Sequence, residues 1–235
     1  MAQPSVVQLD RYQRDKSTPT RVQVYAALRD AIVRGELEPG QQLSENSLAE
    51  RIGVSRTPIR EAIGRLREDR LVETVPQLGT FVARINPTAI SDAQFIRESL
   101  ECAAIRLSAQ VAKEADIADL EQNLHSQDRA RESGDLDSFY LLDDSFHHAL
   151  CDLSGHLSVW VVSERAKAHL NRIRRLSLGM PNYLDEMVSE HRLVLGAVAA
   201  NDADRAEELL REHLRTVLRE VPRMRAEHPD YFEGP

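Results

Sequence analysis

Three histidines and an aspartate occupy positions where helical periodicity calls for apolar side chains. Over residues 181–200 one face carries Leu184, Met187, Val188, His191, Leu195 and Val198, the spacing of a single helical stripe. Over residues 202–221 the corresponding face carries Ala206, Leu209, Leu210, His213 and Val217. Over residues 136–153 Phe139, Leu142, Phe146 and Leu150 point inward, with Asp143 and His147 beside them one turn apart. A lone inward histidine is ordinarily a core residue bonded to a backbone carbonyl. An aspartate four residues before a histidine ordinarily just pairs with it. Three helices presenting such groups together is a different situation, because each buried polar group without a partner costs about 1–3 kcal/mol. Asp143, His147, His191 and His213 form a ligand set for a divalent ion such as Zn²⁺, Ni²⁺ or Mn²⁺. Asp144 and His148 are an alternative pair, rotated about 100° toward solvent. His125, His156, His169 and His228 have no such support.

Over residues 88–113 the stripe is Ile96, Leu100, Ala104, Leu107 and Val111, and Arg97 adjoins it. A guanidinium facing a core needs an anion. Glu101, one turn on, could supply it, leaving a plain buried ion pair. Alternatively Arg97 and the metal together hold the carboxylate of a small anionic effector. Arg172, in the run Arg172-Ile173-Arg174-Arg175, is a second candidate for that role, although the run reads as a surface stripe. The same ligands would suit a metal-dependent hydrolase, which needs an activated water with a general base beside it. Helical phase turns the available carboxylates, Glu190 and Asp144, away from the set. A closed structural metal site with no effector is a third reading.

A second stretch carries different chemistry. Residues 44–71 hold two short helical patterns, Leu48-Ala49-Ile52 and Ile59-Ala62-Ile63-Leu66, broken by Gly53-Val54-Ser55. Glycine suits the unusual backbone angle of the turn in a helix-turn-helix. Ser55 offers a hydroxyl N-cap, and Pro58 sits in the first turn, where a missing N–H costs nothing. Arg56, Thr57 and Arg60 then lie at a helix N-terminus, suited to phosphate and base-edge contacts together. An ordinary helical hairpin with a solvated charged face has the same pattern. What separates the two is the segment 71–83, where Leu71–Val75 and Thr80–Ala83 flank Pro76-Gln77-Leu78-Gly79 as a β-hairpin. A hairpin directly after the second helix makes a winged helix.

Residues 19–85 resemble the DNA-binding domain of the GntR family of bacterial transcription regulators. The phrase Gly53-Val54-Ser55-Arg56-Thr57-Pro58-Ile59-Arg60-Glu61-Ala62 follows that family's signature almost residue for residue. The resemblance implies that Ser44, Asn46, Ser55, Arg56, Thr57 and Arg60 contact double-stranded operator DNA and that a wing tip at Gly79 reaches the minor groove. Two departures bear on which operator is read: Asn46 and Leu78 stand where many members carry arginine. Residues 88–221 resemble the FCD ligand-binding domain of the FadR subfamily. Many such domains bind metal through an Asp and three His, the first two in a D-x-x-F-H phrase, here Asp143-Asp144-Ser145-Phe146-His147. Members resembling this chain respond to small organic acids or sugar acids.

Behind these motifs stands a chain of 235 residues, 42% hydrophobic and 29% charged, a globular composition with room for two small cores. The net charge is −8, but residues 1–85 hold 13 Lys+Arg against 11 Asp+Glu and the remainder 17 against 27. The mild positive excess thus coincides with the DNA motif, and the acidic second half does not suit DNA. No apolar run approaches the roughly 18 residues of a membrane span, and there is no secretory leader pattern. Cys102 and Cys151 form no CxxC and read as buried thiols of a reducing compartment, so a cytoplasmic protein is expected.

The expected organisation is a flexible arm (1–17), a winged helix-turn-helix domain (18–85), a linker (86–89), a helical domain (90–222) and a C-terminal tail (223–235). The first domain opens with a helix from Pro19-Thr20 to about Arg34 and a short strand near Gln42-Leu43. The second is read as helices at about 88–113, 116–132, 136–153, 157–178, 181–200 and 202–221, the fourth being one piece or two. The fold class is therefore mostly α: an α/β winged helix followed by an antiparallel bundle of six or seven helices. A homodimeric repressor is expected, since one recognition helix reads too little sequence and a twofold protein matches a palindromic operator.

Overall fold

The computed structural model describes Asp15 and residues 17–234; the rest of the expected arm, residues 1–14 and Lys16, lies outside the described residues. The chain forms two compact units, one running to Pro87 and taking in the residues from Arg225 on, the other Thr88–Met224.

In the first unit α1 (Thr20–Val33) buries Val24, Leu28, Ala31 and Ile32. It is followed by β1 (Gln42–Leu43), α2 (Glu45–Ile52), α3 (Arg56–Glu68), β2 (Val72–Val75) and β3 (Gly79–Val82). Ser44 caps α2 by accepting from the Ser47 amide, and Gly53 ends the helix at φ 74°, a left-handed conformation that costs glycine nothing. Helix α3 follows within three residues and buries Ile59, Ala62, Ile63 and Leu66. Ser55 stands at its N-cap position, but contrary to expectation its hydroxyl makes no capping bond; the side chain is exposed. The strands form an antiparallel sheet in the order β1-β3-β2. Val75 is registered with Gly79, so Gly79 opens β3 and the turn itself is Pro76–Leu78, with Gln77 at φ 65°. A Cβ on Gly79 would stand 2.9 Å from Gln42 Nε2, which donates to the Leu78 carbonyl.

The expected tail is built into this unit. Pro229–Tyr231 form a 3-10 turn, and Phe232 makes a parallel bridge to Ile85. The Ile85 amide donates to Tyr231 O at 2.7 Å and the Glu233 amide to Ile85 O at 3.0 Å.

Among the described residues seven helices fall wholly or mostly in the second unit: α4 (Pro87–Val111), α5 (Glu114–Ser133), α6 (Leu136–Leu153), α7 (Ser158–Ala166), α8 (Ala168–Ser177), α9 (Tyr183–Ala199) and α10 (Ala203–Glu227). Pro87 takes the first position of α4, where its missing N–H is harmless. The fourth expected helix is two pieces, broken at Lys167. That side chain is fully buried, within 3.2 Å of Asp144 and 3.1 Å of Glu164, with its ammonium 3.8 Å from the centre of the Trp160 ring. Helix α10 runs past Pro222 to Glu227 rather than stopping near 221. Proline removes one helical hydrogen bond, and Met224 beyond it is fully buried. On α4 the buried residues are Ile90, Ala93, Gln94, Arg97, Glu101, Cys102, Ala104, Ile105, Ser108 and Ala109. Ala104 is inward as expected, whereas Leu107 and Val111, also expected inward, are exposed. The core packs Ile105, Leu124, Phe146, Val194, Val198 and Leu210 from five helices. Both cysteines are free and buried, and burial pushes the Cys102 thiol up to about 12.

Candidate metal centre and nucleic-acid interface

Helix α6 presents Asp143 and His147 on one edge, four residues apart, and α9 and α10 contribute His191 and His213 from their buried faces. One ligand atom from each lies within 4.8 Å of the others. The Nε2 atoms of His147 and His213 are 3.1 Å apart, those of His191 and His213 3.2 Å, and Asp143 Oδ1 is 3.4 Å from His191 Nε2. Bonds of about 2.0–2.1 Å to one tetrahedral ion would put its ligand atoms about 3.3 Å apart.

The outer nitrogens explain why the inner ones converge. His191 Nδ1 is 2.8 Å from Gln127 Oε1, and Gln127 Nε2 donates to Asn123, which fixes the amide's orientation. His213 Nδ1 is 2.8 Å from Glu190 Oε2, and His147 Nδ1 is 3.0 Å from Glu101 Oε2. The Nδ1 atoms of His191 and His213 thus each face an oxygen acceptor at hydrogen-bond distance. His147 Nδ1 stands near Glu101 without an aligned hydrogen bond. A proton on each Nδ1 would leave the Nε2 atoms as the donors to a metal. All three Nε2 lone pairs then point at one place, an arrangement that repels unless a cation sits there. Oxygen partners behind ligating imidazoles have the same orienting role in metal sites. Burial drives His147 down to about 4, and burial with the neighbouring His213 takes His191 well below its ordinary value. Burial alone would raise the Asp143 carboxyl, but Arg174 and the imidazoles outweigh it and hold it ionised. Three neutral imidazoles and a carboxylate are the donor set of a divalent transition-metal ion: the cluster fits the group.

Beside the cluster lies a cavity of about 20 Å³ lined by Arg97, Tyr140, Asp143, Arg174, Tyr183 and His213, among others. Arg97 donates through Nε to Glu101 Oε1 at 3.0 Å, so the ion pair considered from the sequence exists. Its Nη2 is nevertheless buried without a hydrogen-bond partner. The run 172–175 is not a surface stripe. Arg172 and Arg174 are both buried, and it is Arg174 that lines the cavity. Arg174 donates to Asp143 Oδ2, which leaves Oδ1 toward the histidines, and also reaches Asp144 and Asn171.

Arg174 and Gln127 are the residues that sequence reasoning passed over. Gln127 was detectable, since it extends the Leu120-Leu124 stripe of α5 at helical spacing. Arg174 was hidden by the break at Lys167, which resets the helical phase. Glu190 does not turn wholly away from the set: it backs His213 and takes a second bond from Thr216. Asp144 is engaged by Lys167 and Arg174, so neither carboxylate is free to act as a general base. His148 is half exposed, pairs with Asp152 and stacks on Trp160. Among the described residues it joins no group that could hold a metal ion, nor do His125, His156, His169 and His228.

In the first unit Ser44, Asn46, Ser55, Arg56, Thr57 and Arg60 are all exposed, gathered at the starts of α2 and α3. Arg56 and Arg60 each place Nη2 3.2 Å from the same Glu45 Oε2. Gly79 lies across the sheet at the start of β3.

Residues 20–82 match the family described as bacterial regulatory proteins, gntR family, and residues 92–216 match the FCD domain. A Streptomyces ambofaciens protein described as an uncharacterized HTH-type transcriptional regulator in an unstable DNA locus is 40% identical over 90% of this chain and 89% of its own length. The Escherichia coli HTH-type transcriptional repressor RspR is 34% identical over 94% of this chain and 96% of its own. Among solved structures, E. coli McbR/YncC aligns with a TM-score of 0.77 at 23% identity, covering 88% of this chain and 99% of that one. A putative GntR regulator from Rhodococcus sp. RHA1 aligns at 0.71 and 26%, covering 87% and 98%.

Proposed function

The chain belongs to the GntR family of bacterial regulatory proteins and carries an FCD domain, and from that premise we propose that it is a metabolite-responsive repressor controlled through a metal-assisted carboxylate site. The family and these relatives are transcriptional regulators rather than enzymes. GntR regulators bind operator DNA and commonly act as dimers. Among the described residues no helix is long and apolar enough to cross a membrane.

The observation that carries the regulatory reading is the set of three Nε2 lone pairs converging beside a guanidinium with a spare N–H. An ion held by Asp143, His147, His191 and His213, whether Zn²⁺, Ni²⁺ or Mn²⁺, would draw a carboxylate, and Arg97 would take its second oxygen. A cavity of about 20 Å³ has room for roughly one water. An organic acid therefore has to displace Tyr140, Tyr183 or their neighbours on α6 and α9, and such displacement couples binding to movement. The small cavity also favours a second reading, in which four protein donors close the ion's coordination and the site is structural. Repression is taken from the similarity to RspR, a cytoplasmic location from the family's role, and a homodimer from the apolar Phe95, Leu141, Leu157 and Val162, which stand exposed.

For the DNA-reading role, Arg60→Ala should cost about 1–3 kcal/mol of operator affinity and relax sequence preference. Fluorescence anisotropy at fixed salt measures it, and unchanged affinity would remove α3 from the interface.

A further inference from the structure

Glu45 occupies the first position of α2, yet its carboxylate reaches across to α3. One oxygen, Oε2, lies 3.2 Å from both Arg56 Nη2 and Arg60 Nη2. The arginine side chains are 57% and 67% exposed and Glu45 31%, so these pairs add little to folding stability. Their consequence lies elsewhere. Two guanidiniums that share one acceptor are drawn together against their own repulsion, with their forks held in a defined place before any DNA arrives. Hydrogen bonding from Arg60, then from Arg56, also keeps the Glu45 carboxyl below its ordinary range, so the charge that restrains them persists.

We propose that Glu45 is a positioning residue for operator selectivity, holding Arg56 and Arg60 for base edges and cancelling part of their attraction for phosphate. This rests on the reading that α3 faces DNA. Bidentate recognition of a guanine edge needs a guanidinium in a fixed orientation, whereas contact with phosphate needs only its charge and carries no sequence information. A carboxylate between the arginines favours the first over the second in two ways. It restricts their rotamers, and it presents negative charge to any backbone that approaches without offering the right bases. Arginines released from it would splay outward and bind duplexes of any sequence more readily.

The test compares wild type, Glu45→Gln, Arg60→Ala and the double variant on two duplexes: one selected by the wild type from a random library, and one of scrambled sequence. Glu45→Gln should bind the scrambled duplex about threefold to tenfold more tightly and show a steeper salt dependence, by about 0.9 in log–log slope for each phosphate gained. Its preference for the selected duplex should fall by about tenfold. In the Arg60→Ala background the same substitution should change preference much less, because the residue acts through that arginine. If Glu45 served only as a first-turn acid facing the α2 dipole, Glu45→Gln would lower the melting temperature and leave the preference intact, which would overturn the inference. An equal loss of preference with and without Arg60 would overturn it too. A wild type that selects no duplex at all would overturn the DNA-reading function and this inference with it.

Discussion

Wild-type protein should carry about one divalent ion per chain, and the His213→Ala variant should carry none. His213 is the residue whose loss should matter most, because its Nε2 stands 3.1 Å and 3.2 Å from the other two imidazole nitrogens. Removing an outer-shell partner typically costs 10–100-fold in metal affinity, so loss of a donor itself should exceed that. Gln127→Ala and Glu190→Ala, which remove only the oxygens behind His191 and His213, should fall within it. An ion present at about 100 times its dissociation constant contributes about 2.7 kcal/mol. For a protein of this size that corresponds to about 5–10 °C in the melting temperature of the second unit. Elemental analysis and calorimetry of wild type and variant measure both quantities. Wild type that is free of metal when purified, and takes up none of Zn²⁺, Ni²⁺ or Mn²⁺ on titration, would sink the site.

Buried His147 and His191 make the stability of the metal-free protein depend on pH. His147 is held down to about 4 in the folded state, against about 6.5 in an unfolded chain. Between those values the unfolded chain binds the extra proton, so stability falls as pH falls from about 6.5 toward 4 and is restored as pH rises. Metal affinity moves in the same direction, since the ion competes with protons for the rings. Urea titrations of chelator-treated protein at pH 7 and pH 5 check the sign. A protein more stable at pH 5 would mean that the rings are buried charged.

The winged helix and the helical character of the second unit were legible because their signals are local, whereas the return of the tail to the first unit was not. Gly53 at a left-handed C-cap, the Pro76–Leu78 turn and the apolar spacing of α5, α9 and α10 each depend on a few neighbouring residues. The buried cluster of Asp143, His147, His191 and His213 was legible because polar side chains interrupt apolar stripes on three helices. What misled was the phase of α4. Of its most hydrophobic line, Ala104 is buried and Ile96 and Leu100 are half-buried, but Leu107 and Val111 are exposed. The buried line is one residue around and carries Arg97, Glu101 and Ser108, and the tertiary partners that make this tolerable lie far away in sequence. Ser108 donates to the Leu150 carbonyl at 2.6 Å, and Glu101 accepts from Ser163 at 3.1 Å while facing His147. Hydrophobic periodicity finds a core face only when that face is apolar, and here a buried polar network forms part of the core. The same reason hid Arg174 in a cationic run and made Lys167, fully buried between two carboxylates, look like an ordinary helix residue.

Arg97 decides between an effector site and a closed structural one, and its surroundings determine how it has to be tested. Arg97→Ala would leave Glu101 buried with its main countercharge gone, and breaking a buried pair this way costs about 3–5 kcal/mol. Loss of function in that variant alone would not distinguish the two readings. Arg97→Lys keeps the positive charge beside Glu101 but loses the planar fork, and with it the Nη2 that has no partner in the protein. If an acid binds between the ion and Arg97, the lysine variant should fold, retain its metal and hold operator DNA as the wild type does. The acid concentration that releases DNA should rise by at least about tenfold, the equivalent of one lost charge-assisted hydrogen bond. If the four protein donors close the site, no acid should release DNA from either protein or raise the melting temperature of either. Paired titrations with citrate, lactate and gluconate, read by anisotropy on labelled operator and by thermal shift, separate these outcomes. The expected result is release of wild type by at least one of these acids and a displaced midpoint for Arg97→Lys. Identical midpoints in the two proteins would remove Arg97 from the effector site.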